Sequence, residues 1–401
     1  EIGSGLVGSE MCIRDSYREG KQILLLSYTN RAVDEICKTL SVITPEIDFI
    51  RIGSELSCDP SFRSRLIENV LEACSTRREV HARIERCRVF VGTVATFSSK
   101  TDMFRLKTFD VAIVDEATQI LEPQLLGLLC ARNVAGNNAI GKFILIGDHK
   151  QLPAVVLQSE SQSEVCEECL QSIGLYNLKD SLFERLYRTV SANHSSPTTQ
   201  RFYDMLCRQG RMNVEVARFP NHAFYGGLLE AVGLPHQQGE LVLAPGLESD
   251  EFADVLVSRV AFLPSVPETP SQSAKINHSE AQLTARLAAA VYRQYEASGS
   301  GFHSALTLGV ITPYRSQIAL IKSEIAALGI PVLNDILVDT VERFQGSERD
   351  VIIYSFCVNR TYQLKFLANL TEERGVWIDR KLNVALTRAR KPVSYTHLTL
   401  P

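Results

Sequence analysis

No run of about 18 uninterrupted apolar residues occurs in the sequence, so nothing in it reads as a membrane-spanning helix and the chain is expected to be soluble. An excess of positive charge is missing too: 42 Lys and Arg stand against 46 Asp and Glu, a formal net charge of −4. A polyanionic partner would therefore have to be met by a local channel rather than by the whole surface. There is no disulfide framework. The ten cysteines are scattered, and Cys130, Cys207 and Cys357 lie in apolar runs, which points to structural thiols in a reducing, cytoplasmic setting. Cys166 and Cys169 form one CxxC with no second pair at zinc spacing, so an ordinary polar helix accounts for them better than a metal does. What remains is a globular composition, 45% hydrophobic and 22% charged over 401 residues, long enough for roughly two to three domains with their own cores.

The two ends look foreign to the rest. Residues 1–16 (EIGSGLVGSEMCIRDS) and 393–401 (VSYTHLTLP) resemble translated sequencing-adapter peptides, and both are expected to lie outside the fold. The first has neither the basic start nor the long apolar core of a signal peptide. The genuine chain is expected to begin near Tyr17 and to lack sequence at both ends.

The most informative stretch is 109–123, FDVAIVDEATQILEP. Val111, Ala112, Ile113 and Val114 form a continuous apolar run, as in a parallel strand covered on both faces. Asp115 and Glu116 follow at its carboxyl edge, where open α/β sheets place their ligands. One acid there can hold Mg²⁺ through its hydration shell, and a neighbouring acid can orient or deprotonate a water. The alternative is a strand that simply exits into solvent. Residues 143–153, FILIGDHKQLP, again end an apolar run in a polar turn carrying Asp148, His149, Lys150 and Gln151, and two loaded strand edges point to one site.

The same pattern of strand, polar edge and helix recurs. Residues 22–26 lead through Ser27, Tyr28, Thr29 and Asn30 into a helix over 31–40, and 88–91 lead into GTVAT at 92–96. Small hydroxyl and amide groups at a helix start suit a phosphate backbone, with a plain N-cap as the competing reading. A charged segment at 63–86 reads as a solvated helical insertion, and 189–199 (TVSANHSSPTT) reads as a linker. Beyond it the architecture repeats, with strands at 308–312, 336–338 and 351–356 and helices at 313–328 and 381–390. Together these predict an α/β chain of two doubly wound parallel-sheet domains.

The stretches LSYTNRAVDEI, VGTVATFSS, VAIVDEATQ, ILIGDHKQLPAVV, GVITPYRSQ, DTVERFQGSERDVII and LNVALTRARK together resemble the ordered motifs of superfamily 1 helicases. The resemblance is to the group containing the nonsense-mediated-decay helicases and the Okazaki-fragment helicase-nucleases. It implies two RecA-like domains of the P-loop NTPase type, at 17–188 (with an insertion at about 50–87) and 201–392, joined by a linker at 189–200. It also implies a monomeric, AAA-type motor that uses ATP and Mg²⁺ on single-stranded DNA or RNA, moving 5′ to 3′, with ATP in the cleft between the domains.

The resemblance also assigns roles. Asp115 would hold Mg²⁺, Glu116 would activate water, and Gln151 would sense the γ-phosphate with a neutral amide. Arg211 and Arg388 would be the two arginines that meet the charge on the transferred phosphoryl group. Gln209, Gly346 and Glu348 would line the nucleotide, Glu348 at its ribose. Asn30, Thr93, Thr96, Pro313, Arg315 and Thr340 would lie along the single strand. Three departures stand out. The phosphate-binding loop GxxxxGK[ST] is absent, which leaves the first domain incomplete; Gly210 stands where an aromatic is usual, and Glu342 where Asp is usual. The missing loop keeps a second reading in play, a nucleic-acid clamp without productive ATPase.

Overall fold

A computed structural model describes residues 7–43, 47–192, 202–265, 273, 275–373 and 375–398. The chain forms two compact units, Glu1–His149 with Pro153–Met205, and Lys150–Leu152 with Leu206–Pro401.

In the first unit β1 (Ile23–Ser27), β2 (Phe49–Ile52), β3 (Val89–Thr93), β4 (Phe109–Val114) and β5 (Ile140–Leu145) form one parallel sheet in the order β2-β3-β1-β4-β5. Side chains two apart share a face, and the core divides accordingly. Leu24, Leu26, Phe90, Ala112 and Val114 join one apolar cluster with Phe97 and Leu125, while Ile23, Leu25, Val89, Val91, Val111 and Ile113 join the other with Val33, Ile36 and Leu40. The helix Asn30–Ile43 therefore covers one face, and Val94–Ser99 and Glu122–Leu129 cover the other. β5 is an edge strand with Gly141 and Lys142 exposed and Phe143, Ile144 and Leu145 half-buried.

In the second unit Arg208–Gln209 (β6) and Glu230–Ala231 (β7) make a short parallel pair. The main sheet, also parallel, contains β8 (Val260–Ser265), β9 (Leu308–Ile311), β10 (Leu337–Asp339), β11 (Val351–Ser355) and β14 (Val393–Leu398) in the order β10-β9-β11-β14-β8. An antiparallel hairpin, β12 (Leu370–Glu373) with β13 (Val376–Asp379), precedes the helix Arg380–Leu386. Leu308, Val310, Val351 and Ile353 pack with the helix His278–Ala297, and Ile311, Ile352 and Tyr354 pack on the opposite face with Val216, Val384 and Leu386. Each sheet is thus doubly wound, as the apolar runs predict.

Several expectations need correction. Residues 393–401 were expected to be extraneous, yet Val393–Leu398 is a strand between β11 and β8; Val393, Tyr395 and Thr396 are residue types that favour a pleated strand. Residues 1–16 were likewise set aside, but Val7–Arg18 is a helix that buries Ile13. The insertion expected at 50–87 begins with β2, whose Arg51 is fully buried against Asp34, 2.8 Å away. The α-helical parts of that insertion are Ile67–Leu71 and Arg77–Arg86, the second started by a capping box between Thr76 and Glu79, which is the sequence signature of a helix start. Residues 189–192 of the expected linker close the helix Leu182–Ala192; residues 193–200 lie outside the described residues.

Candidate functional site

In the first unit the candidate residues gather at the carboxyl edge of the sheet. Asp115 follows β4, is 8% exposed, and has its amide bonded to Leu26 O at 2.8 Å. Glu116 adopts the left-handed conformation at φ 53 and ψ 37, strained for a side chain of this type and typical of positions over-determined by their surroundings. Gln119 Nε2 donates to Glu116 Oε2 at 3.0 Å, and the Ala117 amide donates to Ile146 O at 2.8 Å. Gly147 closes the turn beside it, where a Cβ would stand 3.0 Å from Thr118 Cγ2 and 3.1 Å from Thr118 N. The acid pair is therefore fixed between β4 and the residues after β5. Ser27 Oγ donates to Asp115 O at 3.4 Å; Ser27, Gln119 and Gly147 lie in stretches the sequence singles out, but only the geometry sets them beside the acid pair.

Two other strand ends on this edge carry the remaining candidates of the unit. Thr93 Oγ1 accepts from the Thr96 amide at 3.1 Å and lies 2.8 Å from Thr96 Oγ1, so Thr93 is an N-cap. Asn30 begins its helix half-buried, and the neighbouring Thr29 supplies the oxygen that accepts from the Ala32 amide at 3.2 Å.

The second unit keeps its candidates at two opposite ends of one sheet. At the amino edge, Arg388 is 2% exposed and donates from Nε to Val384 O at 3.1 Å, from Nη1 to Ser347 O at 3.4 Å, and from Nη2 to Thr387 Oγ1 at 3.0 Å and Gln151 Oε1 at 3.1 Å. Gln151 thus packs within the second unit, as part of Lys150–Leu152. Arg211 donates from Nε to Glu348 Oε2 at 2.9 Å and from Nη1 to Thr387 O at 3.2 Å. Gln209 folds the chain toward Arg211, its Oε1 accepting from the Arg211 and Met212 amides at 3.0 and 2.8 Å. Glu348 precedes β11 and Arg388 precedes β14, so Gln151, Arg211, Glu348 and Arg388 form one connected group. Gly346 turns the chain into it at φ 74, in the left-handed region that favours glycine.

At the carboxyl edge, β9 runs into Thr312, Pro313 and the exposed Arg315, and β10 runs into Thr340. Burial works against ionisation of Glu342, but its own backbone amide, the Thr340 hydroxyl and Lys381 outweigh it and hold the carboxyl below its usual range. Lys381 Nζ lies 3.3 Å from it, a pairing in which Glu342 replaces the expected Asp. Beside Arg211, Gly210 leaves room for a Cβ, with the nearest atom, Leu234 Cδ1, at 3.5 Å. Among the described residues no helix is long and apolar enough to cross a membrane.

A family model described as an AAA domain matches residues 178–394, and a second AAA-domain model matches residues 63–159. The chain belongs to the AAA-domain family. Within it the chain falls in the superfamily 1 helicase group. The DNA replication ATP-dependent helicase/nuclease DNA2 of Xenopus laevis is 30% identical over 398 residues, covering 94% of this chain and 33% of that protein. The mouse protein of the same name is 29% identical over 392 residues, covering 92% and 32%. The DNA polymerase alpha-associated DNA helicase A of Saccharomyces cerevisiae is 27% identical over 329 residues, covering 77% and 42%. This AAA-domain chain spans about a third of the length of the DNA2 relatives it matches.

Proposed function

We propose that this AAA-domain chain is the motor part of an ATP-dependent helicase that moves 5′ to 3′ along single-stranded DNA or RNA as a monomer. The observation that carries this reading is that the second sheet is loaded at both ends. The amino edge carries Arg211, Glu348 and Arg388, and the carboxyl edge carries Pro313, Arg315 and Thr340. A sheet with nucleotide-facing arginines at one end and strand-gripping groups at the other can turn phosphoryl chemistry into displacement.

Mg²⁺ belongs to this reading. Among the described residues no group of three or more His, Cys, Asp or Glu side chains stands at metal-binding spacing. Mg²⁺ needs none, since it takes one or two carboxylates and completes its shell with water and phosphate oxygens. Asp115, held at the end of β4, fits that demand, and the ion there would offset phosphate charge. Glu116 orients and deprotonates the attacking water, with its position fixed by Gln119. Arg211 and Arg388 stabilise the charge spread over the transferred phosphoryl oxygens, and Gln151 reports the γ-phosphate through its hydrogen bond to Arg388. A cytoplasmic setting is supported by ten cysteines that are all free.

The clamp remains the rival for the 401-residue chain itself, because its sequence contains no GxxxxGK[ST] loop. Phosphate release and strand displacement measured with such a loop grafted ahead of Gln22 separate the two. The motor requires both activities, each dependent on Glu116. Binding without turnover in the grafted protein would leave the clamp.

A further inference from the structure

The start of the helix His278–Ala297 holds a carboxylate that no step above uses. Glu280 is fully buried; its Oε2 accepts from the Ser355 hydroxyl at 2.8 Å, the Cys357 amide at 2.9 Å and the Thr396 hydroxyl at 3.2 Å, and its Oε1 accepts from the Ser265 hydroxyl at 3.1 Å. One carboxylate thus ties together the carboxyl ends of β8, β11 and β14. A buried carboxylate is costly unless its lone pairs are taken up, and the residue it holds is unusual. Cys357 has a left-handed backbone, φ 52, a conformation kept where the surroundings over-determine it.

From Cys357 the chain makes a loop, residues 357–363, that is pinned at several further points. Gln363 Oε1 accepts from the Asn359 and Arg360 amides at 3.0 and 2.9 Å, and Asn359 Nδ2 donates to Ile276 O at 2.9 Å. Asn277 Nδ2 donates to Asn359 Oδ1 at 2.9 Å. The same Asn277 exchanges two hydrogen bonds of 2.9 Å with Gln317, in the helix Arg315–Ala327. Ser316 Oγ donates to Lys275 O at 2.9 Å. The loop and the turn Pro313-Tyr314-Arg315 are thereby fixed to each other.

The surface presented by this assembly is basic and aromatic. Tyr362 is 50% exposed. Lys275, Arg315, Arg360 and Lys365 are exposed, and none is in an ion pair among the described residues. Residues 357–368, CVNRTYQLKFLA, contain no acid at all, although acids outnumber bases in the whole chain. An exposed aromatic ring on a fixed loop among unpaired cations is the combination that grips single strands, with the ring stacking on a base and the cations meeting phosphates.

We infer that loop 357–363 is a nucleic-acid contact, with Tyr362 stacking on a base, Arg360 meeting a phosphate, and Asn359 and Glu280 acting as positioning residues. This rests on the single-strand reading of the carboxyl edge. The occupant is a single-stranded nucleic acid rather than an acidic peptide, since a peptide carboxylate has no use for a stacking ring beside it.

The test is fluorescence anisotropy of a labelled dT15 oligonucleotide titrated with the full 401-residue chain, with polyglutamate as competitor. Tyr362→Ala should weaken binding about 5- to 100-fold, the range for losing one base stack, with an unchanged salt slope. Tyr362→Phe should bind like the parent. Arg360→Gln should lower the salt slope by about one contact. Asn359→Ala should weaken binding comparably to Tyr362→Ala, and the double variant should be little weaker than either, because both remove the same contact. The inference is overturned if Tyr362→Ala stays within about twofold of the parent, if Tyr362→Phe is as weak as Tyr362→Ala, or if polyglutamate competes as well as unlabelled dT15. Arg315→Gln separates the levels: if it weakens binding while Tyr362→Ala does not, only the loop inference falls, and if neither matters the single-strand reading of this edge falls with it.

Discussion

The buried guanidinium of Arg388 donates to the side-chain carbonyl of Gln151 across 3.1 Å, although the two residues lie far apart in the sequence. The arginine and the amide proposed to sense the same phosphoryl group are therefore one hydrogen-bonded unit. A shift of either is felt by the other without any change in charge.

This contact gives Arg388 a measurable structural role. Arg388→Ala should remove donors from Val384 O, Ser347 O and the Gln151 amide in a buried place, costing about 2–4 kcal/mol of unfolding free energy. In a protein bearing a grafted phosphate loop, the same substitution should lower turnover roughly 10³-fold. Urea denaturation and phosphate release check the two effects separately. An unaltered denaturation midpoint would refute the structural account, and an unaltered rate would leave Arg388 outside the chemistry.

Glu116 allows a paired experiment because its backbone is strained and it is the proposed general base. Glu116→Gln should leave nucleotide binding nearly intact and reduce turnover by about 10² or more in the loop-bearing protein, since a general base is lost. Glu116→Gly should be as inactive, but should raise stability by about 0.5–1 kcal/mol because glycine occupies φ 53 without strain. A glycine variant that melts below the parent would show that the side chain contributes more than the backbone strain costs.

The 401-residue chain, purified as it stands, should show no nucleic-acid-stimulated ATP hydrolysis above a blank. Without the amide nest and lysine of a phosphate loop, the β- and γ-phosphates lose most of their donors while Asp115 and Glu116 repel them. Binding to single strands should survive and weaken steeply with salt. The half-buried Phe143, Ile144 and Leu145 on edge strand β5 should make this chain prone to aggregation. Robust turnover that disappears in Glu116→Gln would overturn the prediction.

Glu280 should leave a signature in the pH dependence of stability. Burial raises its carboxyl above the ordinary value of 4.5, against the pull of the Cys357 amide and the Ser355, Ser265 and Thr396 hydroxyls. The folded chain therefore keeps a proton that the unfolded chain releases, and stability falls as pH rises from about 4.5 through the raised value. Relative to Glu280→Gln, the parent should lose stability across that window and run parallel to the variant below it. Urea midpoints from pH 4 to pH 8 decide the matter, and a difference that runs in the opposite direction would mean that the hydrogen bonds outweigh burial.

Much of this was legible because parallel strands covered on both faces must be apolar throughout. ILLL in β1, VAIV in β4 and VIIY in β11 announce themselves, and each places a polar edge where the chemistry belongs. β2 was not legible, because Arg51 in FIRI reads as exposed until Asp34, from another element, is known to meet it. Nor could local sequence show that Lys150–Leu152 packs with the second unit, since that depends on Asn383 Nδ2 reaching Lys150 O at 2.8 Å and on Arg388 reaching Gln151. The buried Glu280 was hidden for the same reason: its four donors come from three strands and a loop, none adjacent to it in the chain.

The shortness of β11 has a mechanical meaning. Val351–Ser355 joins the arginine end of the second sheet to the end that holds Cys357, and five extended residues reach only about 16 Å. An extended strand, hydrogen-bonded on both sides, can barely lengthen or shorten. Any displacement of Glu348 would reach the loop beyond Ser355 as rigid travel, with little lost to deformation on the way, as along a pushrod.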